Sequence, residues 1–164
     1  GITAAAHQDG RAVDVSNIFD EGCFSMDRPG GLPAHQVVEL CFSGRSKEEV
    51  LRQLDTGSGI VSYLNTRDFR TVEKMAFEED NAEAKLIFEA LAYQLSKDIG
   101  ALSAVLHFQV DAIVLTGGMA YSKRLCALVD SYVHRIAPVL VLPGEAERLG
   151  RELGARLKEE QAHG

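Results

Sequence analysis

The longest regular pattern along the chain is a helical stripe of apolar residues near its middle. Apolar side chains recur at spacings of three and four positions between Asn81 or Ala82 and about Phe108. The stripe consists of Phe88, Leu91, Leu95, Ile99, Leu102 and Leu106. This pattern predicts a long helix with one face in the core.

A strand, a glycine turn and a second helix are predicted directly after that stripe. The unbroken apolar run Ala112–Leu115 predicts a parallel strand covered on both faces. Gly117 and Gly118 follow it, and Ser122 is suited to cap a helix over about 123–136. Adjacent glycines let a ligand approach the backbone, and open α/β sheets bind ligands at the carboxyl ends of strands. From these residues alone, a plain tight turn is an equally good interpretation.

The rest of the chain completes an α/β pattern. Asp9-Gly10 between two β-favouring runs predicts a hairpin over 2–15. Two short helices are predicted near 34–42 and 46–54, and a capping-box pattern at 46–49 marks the start of the second. A second buried strand is predicted at 139–142, and a last helix at 145–159. Alternating helices and strands favour a parallel sheet.

Three polar segments are candidates for binding or catalysis, and each also has an interpretation without a functional role. Arg28 lies in a loop rich in Pro and Gly, where it is either solvated or a phosphate ligand. Asp68 and Arg70, near a helix start capped by Thr66, either face solvent or reach a ribose or base. Two positions apart, they should not face each other on a helix. The segment 57–59 (Gly-Ser-Gly) resembles part of a phosphate loop but lacks the full motif, so we predict a flexible linker there. Residues 60–64 are predicted to form either a short strand or a helical turn.

Composition narrows the classes of partner. The 164 residues suit one domain, and 17 basic against 24 acidic residues give a net charge of −7. This balance argues against nucleic acid or an anionic membrane as the main partner. Three widely spaced cysteines, with no CxxC pair and no visible signal peptide, favour a reducing, cytoplasmic location.

The first residues predict that the chain is a piece of a longer protein. It starts with Gly1, and the residues directly after it already have strand character. We interpret this start as a position inside a glycine-rich turn. A tag remnant before a true start is the alternative.

Taken together, several segments closely resemble the butyrate kinases. These are Phe24-Ser25, 28–33 (Arg-Pro-Gly-Gly-Leu-Pro), 40–44 (Leu-Cys-Phe-Ser-Gly), 113–122 (Ile-Val-Leu-Thr-Gly-Gly-Met-Ala-Tyr-Ser), 137–139 (Ala-Pro-Val) and 143–145 (Pro-Gly-Glu). More distantly the chain is similar to acetate kinases and the actin-like superfamily. The resemblance implies an α/β actin-like ATPase (ribonuclease H-like) domain with a mixed sheet flanked by helices. It also implies that residues 1–164 form the carboxyl-terminal, nucleotide-binding domain of an acetokinase-type kinase, without its amino-terminal domain.

The same resemblance assigns roles to individual residues. The adenosine motif matches Gly117, Gly118, Met119 and Ala120, and a segment lining the adenine–ribose pocket matches Asp68, Phe69 and Arg70. Arg28 matches an arginine on the transferred phosphoryl group. Glu145 matches a glutamate associated with the magnesium site, and Gly1 matches the last glycine of a phosphate loop.

The implied activity is phosphorylation of butyrate by ATP to give butyryl phosphate and ADP, with Mg²⁺ as cofactor. The implied partners are the nucleotide, a short-chain fatty acid, the protein's own missing amino-terminal domain and further copies in a homodimer or larger homo-oligomer. Alternatives are an acetate or branched-chain fatty acid kinase, or a nucleotide-binding module without catalysis. Because the acyl pocket lies largely in the amino-terminal domain, this chain alone should be inactive.

Overall fold

The computed structural model describes residues 1–17 and 19–144. The helix predicted at 145–159, and with it Glu145, lies outside the described residues. Two strands come first, followed by five helices, a strand, a helix and a last strand. None of the helices in this part of the chain combines the length and the apolar character needed to cross a membrane.

The predicted hairpin is confirmed. Strands β1 (Ala5–Gln8) and β2 (Arg11–Val15) pair antiparallel. Asp9 and Gly10 join them with φ angles of 51° and 74°. Two consecutive left-handed residues are what a two-residue turn needs to match the twist of its strands.

Three short helices follow the long loop, namely α1 (Ala34–Cys41), α2 (Lys47–Thr56) and α3 (Ile60–Leu64). The capping box of α2 is confirmed, because the Glu49 N–H donates to Ser46 Oγ at 3.2 Å and the Ser46 N–H donates to Glu49 Oε2 at 2.8 Å. Of the two structures predicted for 60–64, the helical one is formed.

Helix α4 (Phe69–Phe77) begins two residues later than the sequence predicts. The expected cap, Thr66, is wrong, since the cap is Asp68, whose Oδ1 accepts the Arg70 N–H at 2.9 Å. An aspartate and a threonine two residues apart are both good caps, and their side chains alone do not decide between them.

The long helix α5 (Ala82–Val105) is the centre of the core, as its apolar stripe predicts. Phe88 is 1% exposed. Its ring stacks on Phe69 at a centroid distance of 5.4 Å and meets the edge of Phe77 at 5.0 Å. These three rings pack α4 onto α5. Helix α5 also contacts both strands of the hairpin.

The second half of the structure is a strand–turn–helix–strand unit. Strand β3 (Ile113–Gly117) leads into a 3₁₀ turn (Gly118–Tyr121), helix α6 (Lys123–Val133) and strand β4 (Val139–Pro143). The two strands pair parallel and in register from end to end. Helix α6 packs against α5, so the unit joins the common core.

In the described part of the chain, the parallel pair has exposed side chains on both of its faces. Ile113 is 8% exposed, whereas Val114, Leu140 and Val141 are 37%, 41% and 41% exposed. The prediction of strands covered on both faces is therefore wrong for these residues. An unbroken apolar run does not tell whether a second layer is present to cover it.

The described strands form one antiparallel and one parallel sheet of two strands each. Both kinds of pairing expected of a mixed sheet are thus present, as two separate ladders. Helices flank them, which agrees with the α/β class predicted from the sequence.

Candidate functional site

Arg28 has a buried donor without an acceptor in the described residues. Its Nε atom is buried and makes no hydrogen bond there. Its Cζ lies 4.4 Å from the centroid of the Phe19 ring, a distance suited to a cation–π contact. A buried guanidinium N–H without a partner is costly, so this atom is suited to donate to an anion. The phosphate-binding role of Arg28 stays a prediction.

The loop that carries Arg28 is bound to the first turn of α3. The Ile60 N–H donates to the Ser25 carbonyl at 2.9 Å, and the Val61 N–H donates to the Met26 carbonyl at 2.8 Å. The first N–H groups of a helix have no partner within the helix. Here the loop backbone supplies the acceptors, so the loop and the helix end fix each other.

Gly59 allows this contact, and the sequence did not reveal its role. It has φ 68° and ψ −149°, a conformation that L side chains rarely adopt. A Cβ at this position would overlap the Ser25 carbonyl oxygen and lie 2.5 Å from that of Arg28. The flexible linker predicted for 57–59 is therefore wrong. The only available signal was a pair of glycines shortly before an apolar run.

Asp68 and Arg70 form an ion pair with each other. Arg70 donates from Nε and Nη2 to the two carboxylate oxygens of Asp68, at 3.0 and 2.8 Å. The expectation that they do not face each other is wrong, because Asp68 is the N-cap and lies outside the helix. The Arg70 side-chain and backbone hydrogen bonds lower the pKa of Asp68. Since Arg70 is 91% exposed, the pair adds little to stability.

Phe69, the third residue of this segment, has its ring in the core. The ring stacks on Phe88 of α5 with an interplanar angle of 16°. This contact anchors the start of α4. The nucleotide-binding role of Phe69 stays a prediction, as do those of Asp68 and Arg70.

The turn at Gly117 and Gly118 is open. A Cβ built on either glycine has no atom within 4 Å. Gly117 has φ 83° and ψ −173°, a region that is essentially restricted to glycine. The turn therefore needs glycine at 117 for its conformation, whereas at 118 the missing side chain mainly leaves space. This is the geometry expected where backbone lies against a ligand.

The remaining residues of the predicted adenosine motif, Met119 and Ala120, pack the turn against the core. Ala120 is 6% exposed, and Met119 is partly buried against the core cluster. Ser122 caps α6 as predicted, since its Oγ accepts the Leu125 N–H at 3.1 Å. The open glycines are thus followed directly by residues that are well packed.

The end of β4 is joined to the same turn. The Gly117 N–H donates to the Gly144 carbonyl at 3.2 Å, and Thr116 Oγ1 approaches the same oxygen at 3.4 Å. Gly144 is the last described residue. The metal-binding role predicted for Glu145 therefore stays a prediction. Among residues 1–17 and 19–144, no cluster of three or more His, Cys, Asp or Glu side chains is suited to hold a metal ion.

A wide groove of about 490 Å³ lies beside the turn, between α6 and β4. It is lined by Ala120, Lys123, Cys126, Ala127, Asp130, Val139 and Val141. Neither Gly118 nor Arg28 contributes to its lining, so we do not place the nucleotide there.

The predicted site residues form three groups that are joined through the core. In the described chain, no hydrogen bond or ion pair links the Arg28 loop, the start of α4 and the glycine turn. Phe24, Phe69 and Met119, one from each group, all belong to or pack against the core cluster around α5. Gly1 is exposed and belongs to none of the groups.

The three cysteines should differ strongly in reactivity. Burial, and then the negative charge of Asp98, raise the pKa of Cys23 to about 12, and burial also raises the pKa of Cys126. Cys41 is exposed. Because the thiolate is the reactive form, iodoacetamide near neutral pH should label Cys41 more than about 100-fold faster than Cys23. Peptide mass spectrometry over time measures these rates. Equal labelling of Cys23 and Cys41 would show that the Arg28 loop opens readily.

The sequence and the fold both match one family of known proteins. The profile of the Acetokinase family matches residues 1–134, which is most of the chain. The chain belongs to the acetokinase family. Its fold is also similar to that of an acetate kinase from Entamoeba histolytica, with a TM-score of 0.78 and 16% identity over 94% of this chain. An acetate kinase from Porphyromonas gingivalis matches 94% of the chain with a TM-score of 0.72 and 22% identity.

A third acetokinase-type structure agrees with these two. The propionate kinase of Francisella tularensis subsp. tularensis SCHU S4 matches 82% of this chain with a TM-score of 0.71 and 23% identity. These likenesses confirm the actin-like ATPase fold predicted from the sequence. This acetokinase-family chain covers only 35%, 47% and 46% of the propionate kinase and of the Entamoeba and Porphyromonas acetate kinases.

Proposed function

We propose that this chain is the nucleotide-binding lobe of a two-lobed, ATP-dependent kinase that phosphorylates butyrate. The observation that carries the proposal is the open turn at Gly117 and Gly118, at the carboxyl ends of two parallel strands. A nucleotide can lie directly against backbone that carries no side chains, and this turn offers such a surface. The short coverage of the solved relatives supports the idea that a second lobe belongs to the protein.

The acceptor class follows from family membership. The similar structures are an acetate kinase from each of two organisms and a propionate kinase, whose names point to short carboxylic acids. Butyrate is the finer part of the proposal. It rests on the sequence segments that resemble butyrate kinases, including 28–33 and 113–122. Acetate and branched short-chain acids are the alternatives.

The proposed reaction needs positioning and charge neutralisation more than covalent chemistry by the protein. A carboxylate oxygen of the acid attacks the γ-phosphorus of ATP, and the bond from that phosphorus to the β,γ-bridging oxygen breaks. ADP leaves and an acyl phosphate forms. Arg28 would donate hydrogen bonds to the oxygens of the phosphoryl group during its transfer. Bound magnesium would neutralise further phosphate charge, with Glu145 as its proposed partner.

The proposal is tested with the full-length protein that contains this chain. ATP and acetate, propionate, butyrate or isobutyrate are supplied in turn, and the acyl phosphate is trapped with hydroxylamine. We expect the highest kcat/KM with butyrate. A higher kcat/KM with another acid would change the identity of the proposed acceptor but would still support the kinase activity. Stoichiometric ADP binding without acyl phosphate from any acid would instead support the nucleotide-binding module.

Gly118→Leu should weaken nucleotide binding without unfolding the protein. The new side chain meets no protein atom near its Cβ, but it fills the space where the nucleotide is proposed to lie. We expect the Kd for ADP to rise at least about tenfold, which corresponds to the loss of roughly 1.4 kcal/mol. Isothermal titration calorimetry measures this value.

Gly100→Leu is the matched control, since a Cβ there also has no atom within 4 Å, but the residue lies on α5. Its ADP affinity should stay at the starting value. If Gly118→Leu bound ADP as tightly as the control, the nucleotide would have to be placed elsewhere.

A further inference from the structure

Two polar side chains of α5 hold the backbone of the loop that carries Arg28. The Phe24 N–H donates to Gln94 Oε1 at 3.2 Å, and the Cys23 N–H donates to Asp98 Oδ2 at 2.7 Å. Gln94 and Asp98 are four positions apart, so they lie on one face of the helix. They therefore bind two consecutive amides of the loop from the same rigid element.

These two hydrogen bonds fix the loop close to Arg28. Within the loop, the Ser25 N–H donates to the Arg28 carbonyl at 3.0 Å, which closes a tight turn directly after Phe24. Fixing the amides of Cys23 and Phe24 thus fixes where this turn begins. The first turn of α3 holds the same segment from a second element, through the Ser25 and Met26 carbonyls.

Asp98 is committed to this contact. No lysine or arginine lies within ion-pair distance of its carboxylate in the described residues, and its recorded backbone partner is the Cys23 N–H. Hydrogen bonds from an N–H to a carboxylate are shorter and stronger than those to neutral acceptors. The negative charge also helps to raise the pKa of Cys23, which keeps this neighbouring thiol neutral.

We infer that Gln94 and Asp98 are positioning residues for Arg28, acting through the backbone of residues 23 and 24. The inference rests on the proposed role of Arg28 in phosphoryl transfer. The guanidinium of Arg28 must contact the transferred phosphoryl group at the correct distance and angle. A displacement of a catalytic group by about 1 Å can lower the rate roughly 100-fold. Holding the loop from α5 sets that distance.

The first test is the split between kcat and KM in the full-length enzyme. Gln94→Leu removes the acceptor and should lower kcat about tenfold, while the KM for ATP changes less than about twofold. Gln94→Glu keeps an acceptor oxygen and should restore most of the activity. Asp98→Asn should likewise retain more activity than Asp98→Ala. Glu89→Leu, at an exposed position on the same helix, should leave both constants unchanged.

The second test asks whether the effect passes through Arg28. If it does, Gln94→Leu should lower kcat in the wild-type background but cost almost nothing further in the Arg28→Ala background, since residues acting as a unit are not additive. An equal further loss in that background would overturn the positioning role. Full activity of Arg28→Ala alone would instead overturn the proposed chemistry. If Gln94→Leu does not fold, Asp98→Ala, which also removes an acceptor, replaces it in the same cycle, and full activity of Asp98→Ala would also reject the inference.

Discussion

Arg28→Ala should lower the kcat of the full-length enzyme by about 10³-fold and leave the KM for ATP nearly unchanged. Removing one donor that stabilises charge in a transition state costs about 10²- to 10³-fold, and arginines in phosphoryl transfer reach higher values. The structure supports such a role because the Arg28 Nε is buried without a partner in the described residues. Steady-state kinetics with ATP and butyrate provides the measurement.

Arg28→Lys and Arg52→Ala are the controls for this prediction. Lysine keeps the charge but loses the planar fork of donors, so it should recover only part of the lost rate. Arg52 is an exposed arginine on α2, and its removal should leave kcat unchanged. Wild-type turnover by Arg28→Ala would remove this residue from the chemistry.

Gly59→Ala should destabilise the chain by about 4 kcal/mol. Part of this cost is the positive-φ backbone conformation, about 1–3 kcal/mol for a residue other than glycine. The rest arises because the new methyl group overlaps backbone carbonyl oxygens of the Arg28 loop, and backbone cannot move aside like a flexible side chain. Since domains are stable by only about 5–15 kcal/mol, such a loss is large. Urea unfolding followed by circular dichroism measures it.

Gly44→Ala separates the two causes. Gly44 has φ 86°, but a Cβ there has no atom within 4 Å. This substitution should therefore cost only the conformational part, about 1–3 kcal/mol. If both alanine variants lost the same stability, the close contact between Gly59 and the loop would not exist in solution.

Features that depend on neighbouring residues in the sequence were predictable. The hairpin, the capping box of α2 and the cap of α6 all follow from short-range hydrogen bonding, and the sequence predicts each of them. The apolar stripe of α5 was predictable for a related reason, since helical periodicity reveals a buried face without knowledge of what covers it.

Features that depend on distant parts of the chain were not predictable. The overlap that makes Gly59 necessary comes from a loop some thirty residues earlier, which the local sequence does not contain. The partial exposure of β3 and β4 depends on which layers are present to cover them. For the site, the resemblance named the residues, but only the structure shows the ion pair of Asp68 with Arg70 and the ring of Phe69 in the core.

The common attachment of the three groups to the core around α5 has a consequence for motion. If the proposed second lobe moves to enclose its substrates, the core built around this 24-residue helix will move the arginine, the start of α4 and the glycine turn together as one rigid body. Their mutual spacing would stay constant throughout the stroke, and only the gap to the opposing lobe would shrink.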